Sequence, residues 1–192
     1  MRTAVLVLDI QEDFVGPHAR MPVAHHHIEP MLHTINVVID KVHAVGIPIV
    51  YIKNEFKRSQ WIANWFRHDA AREGSHGAIL DKRLRVVNDL QMSKNVCDAF
   101  SNPRLAMILV KERVEHIIIM GLFAEACIAT TAKGAKKRGY QVTVLQDAVA
   151  SMNDRKREKA LAKLAPRGIA VTTSQGFMDG LGHSEPIHAE LP

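Results

Sequence analysis

Short apolar runs alternate with stretches of helical periodicity from one end of the chain to the other. The first run, TAVLVL at residues 3–8, is wholly apolar, which is typical of a parallel strand covered on both faces. Strands that alternate with helices of about 10–15 residues indicate βαβ units, and hence an α/β fold with a parallel sheet. We predict strands at 3–8, 47–52, 84–87, 116–120, 141–145 and 168–171, and helices at 28–45, 60–72, 103–113, 126–138 and 154–164.

Three reactive side chains fall near the ends of predicted strands. Asp9 follows the first strand in LVLDIQEDF, Lys94 follows a short extended stretch in MSKNVCDAF, and Cys127 begins a helix in GLFAEACIATTA. Right-handed crossovers place the carboxyl ends of parallel strands at one edge of the sheet, where α/β proteins bind their ligands. An acid, a base and a thiol that are distant in sequence are therefore expected to meet at this edge.

These three residue types suit hydrolysis through a covalent intermediate. A helix N-terminus and a nearby cation lower the pKa of a thiol, so we expect the helix and Lys94 to activate Cys127. A carboxylate beside the thiol, here Asp9, takes its proton and returns it to a leaving amine. Each residue also has an ordinary structural explanation, because cysteines are commonly buried, aspartates often cap turns and lysines are usually solvated.

Three motifs sharpen this hypothesis: DIQEDF, then KNVCDAF, then GLFAEACIATTAKGAKKRGYQVTVLQDAVAS. Over residues 3 to about 175 the chain resembles the isochorismatase-like cysteine hydrolase superfamily. The resemblance implies a three-layer α/β/α, Rossmann-like fold with a six-stranded parallel sheet, and a catalytic triad of Asp9, Lys94 and Cys127. It also implies a cis peptide between Leu122 and Phe123, with an oxyanion hole formed by the N–H groups of Phe123 and Cys127.

The chain departs from the family patterns at several positions. Phe123 and Ala124 replace a small residue and a threonine, and Asp98 replaces the serine of the lysine motif, where its charge would partly offset Lys94. The segment YIKNEFKRSQW lacks the Asp-x-His that holds a metal ion in nicotinamidases. We therefore expect no metal or other cofactor. Among the family's branches, the chain most resembles N-carbamoylsarcosine amidase and ureidoacrylate hydrolase.

Candidate substrate-binding residues come from the first motif and from the segment after the second strand, which roofs the pocket in this family. They are Phe14, Trp61, Trp65, Arg67 and His68. Arg67 or His68 would contact a substrate carboxylate. The helical spacing of Trp61 and Trp65 equally fits packing into the core.

Two further groups are expected to be structural. The run of His25, His26 and His27 invites a metal site, but adjacent residues of a strand point to opposite faces, so we expect a solvated loop. Cys97 is expected to be a buried apolar residue. Glycine-rich phosphate loops of the GxGxxG or GxxxxGK[ST] type do not occur, which disfavours a nucleotide cofactor.

Composition narrows the class of protein further. The 192 residues are 47% apolar and 23% charged, near the globular average, and the longest apolar runs are too short to cross a membrane. We expect a single domain over residues 1–182 and a C-terminal arm at 183–192. The surplus of five positive charges lies mainly at 133–138 and 155–167, without interleaved aromatic residues, so no nucleic-acid partner is expected. Two cysteines without a CxxC motif suit a reducing cytoplasm.

We therefore predict a cytoplasmic cysteine hydrolase that cleaves a C–N bond of a small amide, ureido or carbamoyl compound through a thioester. The family resemblance, the small residues at 130–135 and the C-terminal arm together predict a dimer or tetramer. The alternative is a catalytically silent or redox-active thiol protein that acts as a binding or oligomer-forming module. Alkylation distinguishes these alternatives, because an activated Cys127 should react far faster than Cys97 near pH 6.

Overall fold

Six parallel strands form one sheet, in the order β3-β2-β1-β4-β5-β6, in a computed structural model that describes residues 1–181. The strands are β1 (Thr3–Leu8), β2 (Ile49–Asn54), β3 (Gln91–Lys94), β4 (His116–Gly121), β5 (Gln141–Val149) and β6 (Ala170–Thr172). The order of the strands reverses between β1 and β4, and such a reversal opens a crevice at the carboxyl ends of the strands. The predicted α/β fold is confirmed, while the predicted arm at 183–192 lies outside the described residues.

Helices cover both faces of the sheet and complete three layers. They are α1 (Glu12–Val15), α2 (His25–Ala44), α3 (Trp61–Phe66), α4 (Pro103–Lys111), α5 (Ala129–Lys137), α6 (Asp154–Ala162) and α7 (Ser174–Leu181). The pleat directs alternate residues of β1 to opposite faces. Val5 and Val7 pack on the face covered by α2 and α7, whereas Leu6 and Leu8 pack on the face covered by α4, α5 and α6. Each face therefore has its own apolar core.

The third strand lies at Gln91–Lys94 and not at 84–87, where the apolar pattern predicted it. Within 84–87, backbone N–H and carbonyl groups form hydrogen bonds with a side chain instead of with a neighbouring strand. The Tyr51 hydroxyl donates to the Arg85 carbonyl at 3.0 Å and accepts from the Val87 N–H at 3.3 Å. The true strand has a single buried apolar residue, Met92, so its sequence carries little strand signal.

The three consecutive histidines begin helix α2, so the predicted loop is wrong. Successive helical residues are rotated by about 100°, which allows neighbouring rings to reach one acceptor. The Nε2 atoms of His26 and His27 lie 3.1 and 2.7 Å from Oδ1 of Asp154, the first residue of α6. The contact joins the N-terminal ends of two helices at the carboxyl edge of the sheet.

The small residues of α5 are buried within the same chain. Thr131, Ala132 and Ala135 are fully buried, and a Cβ at Gly134 would lie 3.0 Å from the carboxylate of Asp98. These residues therefore allow close packing inside the fold, and among the small residues at 130–135 only Thr130 is partly exposed. The dimer or tetramer stays a prediction.

Candidate active site

The carboxyl ends of four adjacent strands meet at the predicted site. Asn54 ends β2 and is the register partner of Lys94, which ends β3. Asp9 directly follows β1, and Gly121 ends β4 opposite Leu8, the residue before Asp9. The sheet thus brings Asp9 and Lys94 together as the sequence predicts, and it places Asn54 beside them.

Lys94 is at the centre of the site. Its Nζ lies 3.0 Å from Asp9 Oδ2, 2.6 Å from Asn54 Oδ1 and 3.2 Å from Cys127 Sγ. An ammonium group has three N–H donors, so these three contacts use all of them. Burial alone would lower the pKa of Lys94, but its contacts with the Asp9 carboxylate and the Cys127 sulfur raise it above its ordinary value. Lys94 is therefore a fixed cation that touches both the carboxylate and the thiol.

Asp9 has an uncommon backbone conformation and an unused oxygen. Its φ of 62° lies in the left-handed region, which aspartate adopts more readily than most residues. Oδ2 is bound by Lys94, whereas Oδ1 is buried and has no hydrogen-bond partner within residues 1–181. Burial raises the pKa of Asp9 well above its usual range, Cys127 adds to the increase, and Lys94 opposes it. A desolvated carboxylate with a free lone pair is suited to accept a proton.

Cys127 lies in a π-helical turn, Ala124–Ile128, which leads into α5. The Leu122–Phe123 peptide before this turn is cis, as the family resemblance implies. Gly121 begins the connection with a φ of 119°, and a Cβ there would lie 2.0 Å from the Leu8 carbonyl oxygen. Only glycine fits such a close approach. The connection delivers Cys127 to the carboxyl edge of the sheet, where it is 4% exposed.

The backbone around Cys127 is largely hydrogen-bonded. The N–H groups of Ala126 and Ile128 donate to the Phe123 carbonyl at 3.0 and 3.2 Å, and that of Ala124 donates to the Ala150 carbonyl at 3.0 Å. These three N–H groups are therefore committed to the fold. The oxyanion hole at the N–H groups of Phe123 and Cys127 stays a prediction.

The two cysteines lie close enough for each thiol to shift the pKa of the other, which the sequence analysis did not anticipate. Cys97 is only partly buried, and the hydrogen bond from Cys127, together with the charge of Lys94, lowers the pKa of Cys97 to about 6. The same hydrogen bond and burial raise the pKa of Cys127, although Lys94 and Asp9 oppose the increase. The structure thus reverses the expected order of the two thiols. In the free enzyme Cys127 is a thiol whose proton must be removed by a base.

Asn54 is a site residue that the sequence analysis missed, and Gln11 explains how it is held. The Gln11 side chain accepts from the Asn54 N–H at 2.7 Å and donates to the Asn54 carbonyl at 2.8 Å. The amide of Asn54 in turn reaches Cys127 Sγ at 3.8 Å and accepts from Lys94. In the sequence, the glutamine of the DIQEDF motif was the signal that could have led to Asn54, because a glutamine side chain that becomes buried requires polar partners.

Two other aspartates near the site serve the fold. Asp13 Oδ2 accepts from the Ala71 N–H at 2.8 Å and fixes the long connection between β2 and β3. Asp98 accepts from the Phe100 N–H at 3.0 Å and caps the turn at Ala99–Ser101. Asp9 and Cys127 are the groups that raise the pKa of Lys94, and Asp98 is not among them, so the predicted offset by Asp98 is not found.

Among the candidate substrate-binding residues of the roof, Arg67 is the one whose charge affects a thiol of the site. Its guanidinium stacks 3.9 Å above the Phe56 ring, and its buried Nη1 has no hydrogen-bond partner within residues 1–181. Its charge helps to lower the pKa of Cys97, so it acts on the thiol pair. His68, the next residue, is exposed.

The aromatic candidates divide into two groups. Phe14 is buried and contacts Phe123 edge-to-face, with ring centroids 5.3 Å apart, so it supports the turn before Cys127. Trp61 and Trp65 are 71% and 73% exposed, which makes the packing interpretation of these residues wrong. They form an exposed apolar surface on α3, the helix that directly precedes Arg67, and we call this surface the rim.

The residues after β2 do not fit a metal ion. Asn54 is bonded to Lys94, Phe56 offers an aromatic ring covered by Arg67, and the intervening Glu55 is paired with Lys53 at 2.9 Å. Within residues 1–181, the one group of three potential ligands is the pair of histidines at Asp154, outside the catalytic cluster. We derive no catalytic step through a metal.

Comparisons with known proteins agree with this geometry. A family model described as the isochorismatase domain matches residues 3–176. Nicotinamidase 3 of Arabidopsis thaliana is 25% identical over 168 residues, with 84% of this chain and 80% of that protein covered. The ureidoacrylate amidohydrolase RutB of Caulobacter segnis is 23% identical over 171 residues, with 76% of this chain and 71% of that protein covered.

The fold also matches solved structures. N-carbamoylsarcosine amidase from Thermoplasma acidophilum superposes with a TM-score of 0.78 at 24% identity, covering 91% of this chain and 97% of that one. At this identity the likeness shows the fold. Within residues 1–181, no helix has the length and apolar character needed to span a membrane.

Proposed function

The chain belongs to the isochorismatase family of hydrolases, and we propose that it cleaves a C–N bond of a small amide, ureido or carbamoyl compound through a thioester on Cys127. One observation carries the proposal. A single buried ammonium group, Lys94 Nζ, lies 3.0 Å from the Asp9 carboxylate and 3.2 Å from the Cys127 sulfur. Nicotinamidase 3 and RutB, both related by sequence, are named for amide and ureido substrates.

Asp9 is the general base of the first step. Its Oδ1 is buried and without a partner, so it has a free lone pair for the thiol proton of Cys127. The thiol needs such a base because its pKa is raised by Cys97 and by burial. As the sulfur attacks the carbonyl carbon, Lys94 and Asn54 stabilise the charge that develops on it. Asp9 then donates its proton to the leaving nitrogen, and ammonia or an amine departs.

The oxyanion of the tetrahedral intermediate is assigned to the N–H groups of Phe123 and Cys127. The resemblance to the family motif implies these two amides, and the neighbouring N–H groups of Ala124, Ala126 and Ile128 already donate to carbonyls. In the second step a water molecule attacks the thioester. Asp9, again a carboxylate, takes the proton from that water and restores it to the sulfur.

The environment of Arg67 supports a substrate that carries a carboxylate. A half-buried guanidinium with a buried, unpartnered N–H group is costly unless it gains a partner, and a carboxylate supplies the strongest one. Its influence on Cys97 places its charge near the thiols. We therefore propose a small substrate with a C–N bond at one end and a carboxylate at the other, with Trp61, Trp65 and His68 at the rim and Phe14 behind the site.

The direct test is ammonia release from matched pairs of small amides, ureido compounds and carbamoyl compounds, with and without a carboxylate. The proposal expects turnover of an acid member and much weaker turnover of its neutral partner. Exhaustive chelation should leave the rate unchanged. Nicotinamide belongs in the panel, because the absence of an Asp-x-His motif predicts that it is a poor substrate. Inactivity across all three compound classes would favour the silent or redox-active alternative.

A cytoplasmic homo-oligomer is the remaining part of the proposal. Light scattering across micromolar concentrations tests the oligomer against the chain mass of 21.4 kDa. A mass of twice or four times this value supports a dimer or tetramer. A monomer at every concentration would remove self-association from the proposal and leave the chemistry untouched.

A further inference from the structure

Cys97 is a nucleophilic group beside the active site that the hydrolytic mechanism does not use. Its chain segment packs along one stripe of the helix that carries Cys127. The Thr131 hydroxyl, four residues after Cys127, donates to the Cys97 carbonyl at 3.3 Å and accepts from the Ala99 N–H at 3.1 Å. Residues four apart lie on one face of a helix, so this anchor holds Cys97 against the face that bears Cys127.

The next turn of the same stripe tightens this packing. A Cβ at Gly134, seven residues after Cys127, would lie 3.0 Å from the Asp98 carboxylate. The backbone of the Cys97 segment is thus fixed at two points of α5, and the thiols of Cys97 and Cys127 are close enough for each to shift the pKa of the other. The Cys97 backbone is held against Thr131, one helical turn from Cys127, and a short, fixed backbone separation is the first geometric demand of a disulfide.

We propose that Cys97 and Cys127 form a reversible disulfide when the enzyme meets hydrogen peroxide or an organic hydroperoxide, and that this bond masks the nucleophile. The inference rests on the proposed function only for its effect on catalysis. The pairing itself depends on the two sulfur atoms and on the packing of Cys97 against α5. The chain has two cysteines, so any intramolecular disulfide must join these residues.

The chemistry balances in two steps. The Cys97 thiolate attacks the O–O bond of the peroxide, the S–O bond forms, and hydroxide or alkoxide departs, which leaves a sulfenic acid on Cys97. The Cys127 sulfur then attacks the Cys97 sulfur. The S–S bond forms, the S–O bond breaks, and the departing hydroxide takes the Cys127 proton as water. Two thiols are oxidised and one peroxide is reduced.

The environment favours Cys97 as the residue that meets the oxidant. It is partly exposed, whereas Cys127 is 4% exposed. The hydrogen bond from Cys127 and the charges of Lys94 and Arg67 lower the pKa of Cys97 to about 6, so it is a thiolate at neutral pH. Thiolates and not thiols react with peroxides. Cys127, buried behind it, is placed to resolve the sulfenic acid before further oxidation.

Intact mass after peroxide treatment tests the pairing without any substrate. The wild-type protein, quenched with N-ethylmaleimide under non-reducing conditions, should lose two hydrogens and take up no maleimide. Tryptic digestion should yield peptides 95–104 and 114–133 linked to each other. Protein that gains oxygen atoms without losing two hydrogens, or that takes up two maleimides, would overturn the proposal. This measurement uses the wild type, so it does not depend on how any variant folds.

Recovery of hydrolysis tests the protective role. Wild-type enzyme inactivated by peroxide should regain its starting rate with dithiothreitol. Cys97→Ser lacks the thiolate that meets the oxidant, so it should lose activity more slowly. The activity that it does lose should not return with dithiothreitol, because an oxidised Cys127 has no thiol partner and proceeds to sulfinic acid. Val96→Ser changes an exposed neighbour, leaves both thiols in place, and should behave as the wild type. Equal recovery in Cys97→Ser and the wild type would refute the role of Cys97. A disulfide that forms in a protein without hydrolase activity would contradict the proposed hydrolase function and would support the pairing of Cys97 with Cys127.

Discussion

The base and the rim of the candidate site are built in opposite ways. At the base, the side chains of Asp9 and Lys94 are 0% exposed, and Asn54 and Cys127 are almost as deeply buried. At the rim, helix α3 has six residues and exposes both of its tryptophans by more than 70%. The base is a network of charges on strand ends, whereas the rim is an apolar surface on a long connection.

This difference assigns separate tasks to the two regions. Charged groups removed from water act strongly on one another and need little reorganisation during a reaction, so the base is suited to the bond-breaking step. The rim buries little of its aromatic surface and contributes little to the stability of the fold. Its residues can therefore vary, and with them the substrate groups that the rim contacts. Arg67 links the two regions, because it directly follows α3, stacks on buried Phe56 and lowers the pKa of Cys97 through its charge. We expect substitutions in the base to affect kcat and those in the rim to affect KM.

The largest effect is expected at the nucleophile. Cys127→Ala and Cys127→Ser should reduce kcat by at least about 10³-fold, because no other group can form the thioester. The fold should remain intact, since the residue is small and packs beside polar groups. Thr130→Ala, on the next turn, is the matched control and should keep the wild-type rate. A Cys127→Ala enzyme that retains more than a tenth of kcat would rule out the covalent mechanism.

Asp9 and Lys94 should behave as one unit with the thiol. Asp9→Asn preserves shape but cannot accept the thiol proton, so kcat should fall by about 10²–10⁴-fold. Lys94→Ala removes the cation beside Asp9 and Cys127 and should also lower the melting temperature, because it leaves a buried carboxylate unpaired. The double variant should cost little more than the worse single variant.

A double-mutant cycle, read by kcat and by thermal melting, measures this coupling. Additive losses in kcat would separate Asp9 from Lys94 and contradict the single network at the base of the site. An unchanged kcat in Lys94→Ala would remove Lys94 from the mechanism.

Arg67 tests the boundary between the two regions. Arg67→Ala should raise KM for a carboxylate-bearing substrate by about 10–100-fold, the value of one charge-assisted bidentate contact, with a smaller change in kcat. Arg67→Lys should recover part of the loss, and the neutral member of each substrate pair should show no effect. Arg58→Ala removes an exposed charge from the same connection and serves as the control. Equal losses for acid and neutral substrates would show that Arg67 supports structure only.

The two thiols should differ in their reaction with iodoacetamide. Cys97 should be alkylated first, because its pKa is lowered to about 6 by Cys127 and Lys94. Its rate should be level above pH 7 and should fall about tenfold per pH unit below pH 6, as the thiolate is protonated. Peptide mapping at each pH identifies the modified residue. Preferential alkylation of Cys127 near pH 6 would restore the order expected from the sequence.

The smallest effects are expected at the exposed rim. Trp61→Ala and Trp65→Ala should leave the melting temperature within about 1–2 °C of the wild type, because side chains more than 70% exposed contribute little to stability. KM should rise by no more than about threefold, and kcat should be unchanged. Steady-state kinetics on the acid substrate decide the point. A loss of kcat would show that the tryptophans take part in the reaction as the residues of the base do, and it would remove the contrast between the two regions.

The sequence by itself determined the alternation of strands and helices, and with it the edge at which Asp9, Lys94 and Cys127 meet. Apolar periodicity is a local property, so five of the six strands could be located from it. The motifs also led to the cis peptide at Leu122–Phe123, which the structure contains. These features depend on neighbours in sequence or on motifs that can be read directly.

Only the tertiary structure decided which other residues join the site. Asn54, braced by Gln11, and the thiol of Cys97 come from separate segments that the sheet and α5 bring together. The third strand, at Gln91–Lys94, could not be read from its polar sequence, because pairing with β2 and not local periodicity makes it a strand. The pKa order of the two cysteines was unpredictable for the same reason. A titration depends on burial and on charges close in space, and neither is written in the order of residues along the chain.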